Sequence, residues 1–190
     1  MSMPLTVVKY GTPVLRQKGG RIDSITPTIR KLAADMLETT YACKGIGLAA
    51  QQVGLAVQLT VIDMRGVTDR PSSLELKGQP ADVNGFMPLV LINPEVKPVG
   101  QPVSGPEGCL SFPEIYADIT RPDTVDVKAL NLEGQPLEFR CAGLLARVVQ
   151  HESDHLNGIL FIDRMDKKTK EELRDELELL MAETKAGLKP

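Results

Sequence analysis

The chain contains only two histidines, His151 and His155, and both fall within the single run His151-Glu152-Ser153-Asp154-His155. On an α-helix a four-residue step turns the chain through about 400°, so two imidazoles at this spacing leave one face a turn apart and can share a divalent cation. Glu152 lies angularly between them, near enough to reach a water on the same ion. Upstream, Leu144, Leu145, Val148 and Val149 recur at helical spacing, and Leu144 and Val148 lie on the stripe that continues into the histidines. The spacing predicts a central helix from Gly143 to Leu156, closed by Asn157-Gly158, with its imidazoles turned inward. A buried imidazole needs a partner at each ring nitrogen, and a metal on one side with an acceptor on the other supplies both.

A catalytic site of this type needs a third protein ligand and one open position. No further histidine exists to provide that ligand, which leaves Cys43, Cys109 and Cys141, or a carboxylate beyond the helix such as Glu171, Glu172, Glu176 or Glu178. Cys109 stands in Gly105-Pro106-Glu107-Gly108-Cys109-Leu110-Ser111-Phe112-Pro113, where glycine and proline predict a non-regular segment able to approach a ligand closely. Cys43 and Cys141 read as small buried or half-buried hydrophobes. A third segment, Gly45-Ile46-Gly47-Leu48-Ala49-Ala50-Gln51-Gln52-Val53-Gly54, lacks the lysine and Ser/Thr of a phosphate loop and the glycine spacing of a dinucleotide fingerprint.

Taken together the three segments resemble the peptide deformylase family. Gly45 to Gln52 matches its first motif, Glu107 to Ser111 (EGCLS) its second and Gln150 to His155 (QHESDH) its third, in the same order and at similar separation. Two departures are Phe112, where an aliphatic residue is more usual, and residues 64 to 88, a longer insertion than compact members carry. The resemblance implies that Cys109, His151 and His155 hold a metal with water as fourth ligand, and that Glu152 is the general base and acid. It also implies that the Gln52 side-chain amide and the Leu110 backbone N–H receive the developing oxyanion. Ile46, Gly47 and Gly108 would line an extended peptide, and Leu144 and Val148 would help form a methionine pocket. From its own place in the chain, one turn before His151 and near the inward stripe, Arg147 reads either as standing at the pocket mouth with its stem over apolar surface or as an ordinary exposed arginine. The metal implied is Fe(II), with zinc, nickel or cobalt as replacements, although the ordinary affinity order favours zinc over ferrous iron. The implied substrate is the N-formyl group of a nascent polypeptide's methionine, and the C-terminal helix is implied to dock on the ribosome.

The chemistry agrees with these groups. A cation lowers the pKa of a bound water, a carboxylate takes its proton, and two N–H donors stabilise charge on an attacked carbonyl, which together describe metal-assisted amide hydrolysis. A rival is a thermolysin-like zinc peptidase with Glu172 or Glu176 as third ligand. Another is a non-catalytic metal- or peptide-binding module, which would lack a base or an oxyanion donor, whereas Glu152 and Gln52 are both present.

A formal net charge of −3, without a basic patch or interleaved aromatics, argues against a nucleic-acid substrate. The longest apolar runs, such as Leu89 to Ile92, are too short to span a bilayer. Met1 to Pro13 has neither signal nor transit character, and an odd number of cysteines fits a reducing compartment, so the cytoplasm is expected.

The fold expected is α+β in one domain over 1–190: antiparallel or mixed strands around the His-bearing helix, with an N-terminal helix and a long C-terminal one. Thr26-Pro27 predicts the cap and first turn of the N-terminal helix, which ends before Gly45. Val57 to Asp63, Leu89 to Asn93, Thr124 to Leu130 and Leu137 to Arg140 read as strands, the last two joined through Asn131-Leu132-Glu133-Gly134. Residues 64 to 88 read as a surface loop or mobile hairpin. The tail reads as one helix over about 166–187, capped by Asp166 or Thr169, with Leu173, Leu177, Leu180 and Met181 as its apolar stripe.

Overall fold

A computed structural model describes residues 3–188. The local signals at the first helix act as expected: the Thr26 side chain accepts from the Ile29 N–H, Pro27 occupies the first turn, and α1 runs Pro27–Ala42. Nine strands follow: β1 (Gly47–Ala49), β2 (Leu59–Ile62), β3 (Ser72–Leu76), β4 (Gln79–Ala81), β5 (Leu89–Pro98), β6 (Pro102–Cys109), β7 (Phe112–Pro122), β8 (Thr124–Leu130) and β9 (Pro136–Gly143). Helix α2, Leu144–Leu156, carries both histidines. Seven strands form one antiparallel sheet in the order β1-β2-β5-β8-β9-β3-β4, and β6 pairs with β7 as a separate ribbon. The α+β expectation, with strands packed around the His-bearing helix, is what the chain adopts.

Turn chemistry sets the β8–β9 register. Asn131 Oδ1 accepts from the N–H groups of Glu133 and Gln135 at 3.0 and 2.9 Å, mimicking backbone at a tight reversal. From Glu114 to Arg121 of β7 the burial alternates, with Ile115, Ala117, Ile119 and Arg121 inward. That places a guanidinium at a position an apolar residue would normally fill.

One expectation about the middle of the chain is corrected and another narrowed. The segment around Cys109 is not irregular: residues 102–109 form β6, one arm of a hairpin with β7, and the cross-strand pairing outweighs the low strand propensity of Gly105, Pro106 and Gly108. Of the two readings of 64–88 the hairpin is the one that forms, and it is docked rather than free on the surface. This β3–β4 hairpin extends the large sheet by pairing with β9. The Pro71 carbonyl and Ser72 Oγ accept from the Leu144 and Leu145 N–H groups at 3.0 Å each, satisfying two otherwise orphaned donors at the start of α2.

Helix α2 is buried along nearly its whole length. Leu144, Leu145, Ala146, Val148 and Val149 pack against Leu89, Leu91, Val125, Val127 and Phe139 of the large sheet. A second apolar cluster under the β6–β7 ribbon joins Leu15, Phe112, Ile119, Phe161 and Leu177, and the third joins α1 to β1 and β2 through Ala33, Met36, Leu48 and Leu59. Phe112 is fully buried, stacked on Tyr10 with centroids 4.7 Å apart and edge-on to Phe161 at 5.0 Å. The C-terminal helix is two segments, α3 (Lys167–Glu172) and α4 (Arg174–Gly187), capped by Asp166, whose side chain accepts from Thr169 N–H at 2.8 Å. Leu177 is buried, with Leu173 and Leu180 half-buried beside it. Among the described residues, no helix is long and apolar enough to cross a membrane.

Gly143 turns the chain from β9 into α2 at φ 70°, and a Cβ there would sit 2.2 Å from the Pro71 carbonyl oxygen. Gly143→Ala is expected to lower unfolding free energy by at least about 2 kcal/mol, read from denaturant midpoints. The cysteines separate cleanly as well. Cys141 is buried with its thiol pushed up to about 12 by that burial, whereas Cys43 is exposed rather than buried as the sequence implied. Iodoacetamide at neutral pH is therefore expected to label Cys43 in the native protein, and Cys141 only after unfolding, which peptide mapping resolves.

Candidate active site

The second motif enters along β6 and the third along α2, so the two meet where the ribbon crosses the helix. The N-terminal segment ties the first motif to the second: Val8 N–H donates to the Gln52 carbonyl at 2.8 Å, and Tyr10 N–H to the Ser111 carbonyl at 2.9 Å. The result is a cleft of about 540 Å³ lined by Ile46, Gly47, Gln52, Gly108, Cys109, Leu110, Leu144, Arg147, Val148, His151 and Glu152. Every site residue read from the sequence reaches this cleft except His155, which lies behind it, 1% exposed.

At its floor, Cys109 Sγ and one nitrogen each from His151 and His155 lie within 4.8 Å of one another. Sγ is 3.2 Å from His155 Nε2, and the two imidazoles stand 5.0 Å apart at 71°. These three side chains could hold a metal ion, one soft thiolate and two imidazoles leaving room for an exogenous ligand. The geometry tests that fit: three donors converge, and Glu152 Oε2 is a buried polar atom without a protein partner. The acceptor expected on the second ring nitrogen is present for His151 alone, since His155, with Nε2 turned to Sγ, leaves Nδ1 without a protein partner. Glu171, Glu172, Glu176 and Glu178, by contrast, are exposed on α3 and α4 and take no part in the cluster.

Glu107, to which sequence reading gave no role, organises the surroundings. Arg121 donates to both its oxygens, Nε to Oε1 at 2.6 Å and Nη2 to Oε2 at 3.0 Å, and Arg147 Nη1 donates to Oε1 at 2.8 Å. Burial alone would raise the Glu107 pKa, but hydrogen bonds from His151 and Arg121 outweigh it and hold the carboxyl down at about 2. Being ionised, it accepts from His151 Nδ1 at 3.0 Å, which fixes the tautomer and leaves Nε2 free to bind a cation. Asp154, between the two histidines in sequence, accepts from Arg121 Nη1 and Arg164 Nη2, each at 2.7 Å, and extends the network to the far side of α2. Arg147 is neither an exposed arginine nor a solvated one at the mouth. Only 8% exposed, it also donates to the carbonyls of Gly105, Ile119 and Val103, stapling α2 to both strands of the ribbon.

Glu152 sits in the opposite environment. Burial raises its carboxyl to about 7 against the partial opposition of His151. A Cβ on Gly47 would lie 2.5 Å from Oε1, so a side chain there would displace this carboxylate from its place. Gln52 is aimed by the N–H of Ala49, which donates to its Oε1 at 2.9 Å and turns Nε2 toward Cys109 Sγ and Ser111 Oγ, each 3.4 Å away. The amide thus presents a donor beside the cluster. A buried carboxyl held above its usual range, a preset donor and three side chains that could hold a metal are groups that metal-assisted hydrolysis could use.

Similarity to known proteins points to one family. The model of the polypeptide deformylase family matches residues 4–171. The peptide deformylase of Opitutus terrae is 43% identical over 189 residues, covering 98% of each chain, and that of Methylacidiphilum infernorum is 47% identical over 176 residues, covering 93% of this chain and 92% of its own. Among solved structures, the peptide deformylase of Synechococcus elongatus in complex with actinonin superposes with a TM-score of 0.77 at 39% identity, covering 92% of this chain and 86% of that one. A plant peptide deformylase reaches a TM-score of 0.83, also at 39% identity, over 99% of this chain and 96% of its own. Since sequence and fold agree along nearly the whole length, the chain belongs to the peptide deformylase family and is a hydrolase.

Proposed function

We propose that this enzyme removes the N-formyl group from the N-terminal methionine of newly synthesised polypeptides, releasing formate. The observation that carries the reading is the convergence of Cys109, His151 and His155 at the floor of a cleft in which Glu152 keeps one oxygen free of any protein partner. Those three side chains would hold a divalent cation, proposed to be Fe(II) with zinc, nickel or cobalt as substitutes, and the chemistry it would supply is Lewis acidity at the floor of the cleft.

The chain's own groups carry the remaining steps. Glu152 takes a proton from the attacking water and passes it to the departing α-amine, a double duty that suits a carboxyl titrating near 7. Gln52 Nε2 and the Leu110 N–H donate to the formyl oxygen as it gains charge, and one such donor is worth about 3 kcal/mol of barrier. Leu144 and Val148 receive the methionine side chain. Ile46, Gly47 and Gly108 offer backbone to the extended peptide, and β1 and β6, each at the margin of its sheet, flank its path. Arg147 acts from behind by holding the ribbon on α2. The proposed setting is the cytoplasm, where formylated chains emerge. Docking on the ribosome would use the outer side of α4, where Leu179 is 61% exposed.

Protein prepared anaerobically and loaded with iron is expected to release formate from a formyl-Met peptide and to leave the acetyl analogue intact. Glu152→Gln is expected to retain one metal per chain by elemental analysis while losing at least about 10²-fold in kcat. A metal-loaded Glu152→Gln protein with undiminished turnover would remove the general base from this account. For the residues behind the cluster, Glu107→Gln surrenders the charge and keeps only one of the two acceptor oxygens, its amide NH2 standing against N–H donors where the other was. Metal affinity by chelator competition should fall about 10- to 100-fold, whereas Glu107→Ala, which strands Arg121 and Arg147, should also cost about 3–5 kcal/mol of stability.

A further inference from the structure

The cleft extends outward beyond the machinery above, and its outer walls carry charge that the hydrolysis does not use. Lys44, Arg70, Glu114 and Tyr116 line this region. Lys44 and Arg70 form no ion pair with a carboxylate among the described residues, whereas the inner arginine, Arg147, is neutralised by Glu107. Two unpaired cations therefore face one exposed carboxylate, Glu114.

Lys44 is anchored through its backbone, Arg70 through its neighbours and its own side chain. Lys44 is fixed at φ 55° where α1 stops, its N–H donating to the Tyr41 carbonyl at 3.1 Å while the next N–H, of Gly45, donates to Thr40 at 2.9 Å. It thus stands at the entrance to β1, on one side of the cleft. Arg70 comes from the insertion and stands on the other. Its neighbours Pro71 and Ser72 are pinned to the start of α2, and its own Nη1 donates to the Pro106 carbonyl on β6 at 3.4 Å. Pro106 is three residues from Cys109, which at about 3.3 Å per extended residue is about 10 Å from the cluster. That is the reach of the second and third residues of a peptide whose formyl group sits at the cluster. Tyr116, 66% exposed, covers Gly108 between these points, since a Cβ on Gly108 would lie 2.6 Å from its ring.

We propose that Lys44 and Arg70 make the outer cleft selective for formyl-methionyl chains with acidic residues at the two positions after methionine, and that delivery of Arg70 is a function of the 64–88 insertion. This rests on the deformylase reading for the chemistry but on separate residues for the selectivity. Exposed charges interact weakly, so the effect is one of rank among substrates: each pair changes the rate by a few-fold and is screened by salt.

The test compares formyl-Met-Asp-Asp, formyl-Met-Ala-Ala and formyl-Met-Lys-Lys peptides of equal length on the metal-loaded enzyme. At low ionic strength kcat/KM for the Asp peptide is expected to exceed that for the Lys peptide by about three- to tenfold. The ratio should collapse toward one as salt approaches about 1 M, where screening acts within about 3 Å. In Arg70→Glu the ratio should fall below that of the wild type, and in the Lys44→Glu/Arg70→Glu double variant it should invert. A second arm measures dissociation constants of the same fluorescently labelled peptides on metal-loaded Glu152→Gln, where binding is read without turnover and the same order is expected. Equal constants for the three peptides, or a preference untouched by charge reversal, would overturn the proposal. If no formyl peptide is cleaved by the wild type, the deformylase reading fails instead, and the order of the dissociation constants decides the selectivity on its own.

Discussion

A carboxylate cannot be stripped of water without compensation, and the arrangement of this molecule follows from how Glu107 is compensated. Its two oxygens receive Arg121 from β7, and Arg147 and His151 from α2, so one buried anion joins the ribbon to the helix. Such clusters add little net stability, because desolvation of each ion costs several kcal/mol and offsets most of the attraction. What the cluster contributes is position. Glu107 and Cys109 lie two residues apart on β6, so holding the first against His151 sets the second against His155, 3.2 Å from its Nε2. Remove the anion and Arg147 still ties α2 to the ribbon through the Gly105, Val103 and Ile119 carbonyls, but His151 loses the acceptor that orients it beside Cys109.

Two carboxylates close to the same histidine are driven in opposite directions, and that division separates their roles. Glu107, surrounded by donors, is held near 2 and remains a permanent anion. Glu152 meets apolar packing and the Cα of Gly47, and burial carries it to about 7, where it can take and return a proton. Interchanging the two environments would leave a fixed charge at the reacting end and a titrating group behind the imidazole. The pattern is general for sites that need an acid or base beside a constant charge.

How much of this was legible in the sequence depends on whether the determining contact is local. The His-bearing helix, the Thr26 cap and the Asn131 turn each draw on residues within a few positions, and each forms where the pattern puts it. β6 could not be read that way, because Gly105, Pro106 and Gly108 are poor strand formers and only β7 makes them extended. Arg121 and Asp154 escaped for the same reason: a guanidinium in the inward phase of a strand looks like an error until its carboxylates arrive from 14 and 33 residues away. Cys43 was misjudged because its composition suits a core while its position, at the C-cap of α1, opens onto the cleft. For Cys109, residue type and setting pointed to the cluster even though its local conformation was misread.

The insertion shows how a segment that looks dispensable acquires structural work. Its hairpin completes the large sheet, and its Pro71 and Ser72 supply acceptors to the first N–H groups of α2, the helix on which the cluster depends. The same cleft also exposes β1 and β6 at the margins of their sheets, and an unpaired strand edge invites pairing with any extended chain. The chain limits that hazard by keeping β1 to three residues and by placing Pro102 and Pro106, which lack an N–H, in β6. The flanking cations Lys44 and Arg70 add a charge guard. An edge left open to accept a peptide and guarded in this way can take a substrate strand briefly without becoming a template for a permanent one.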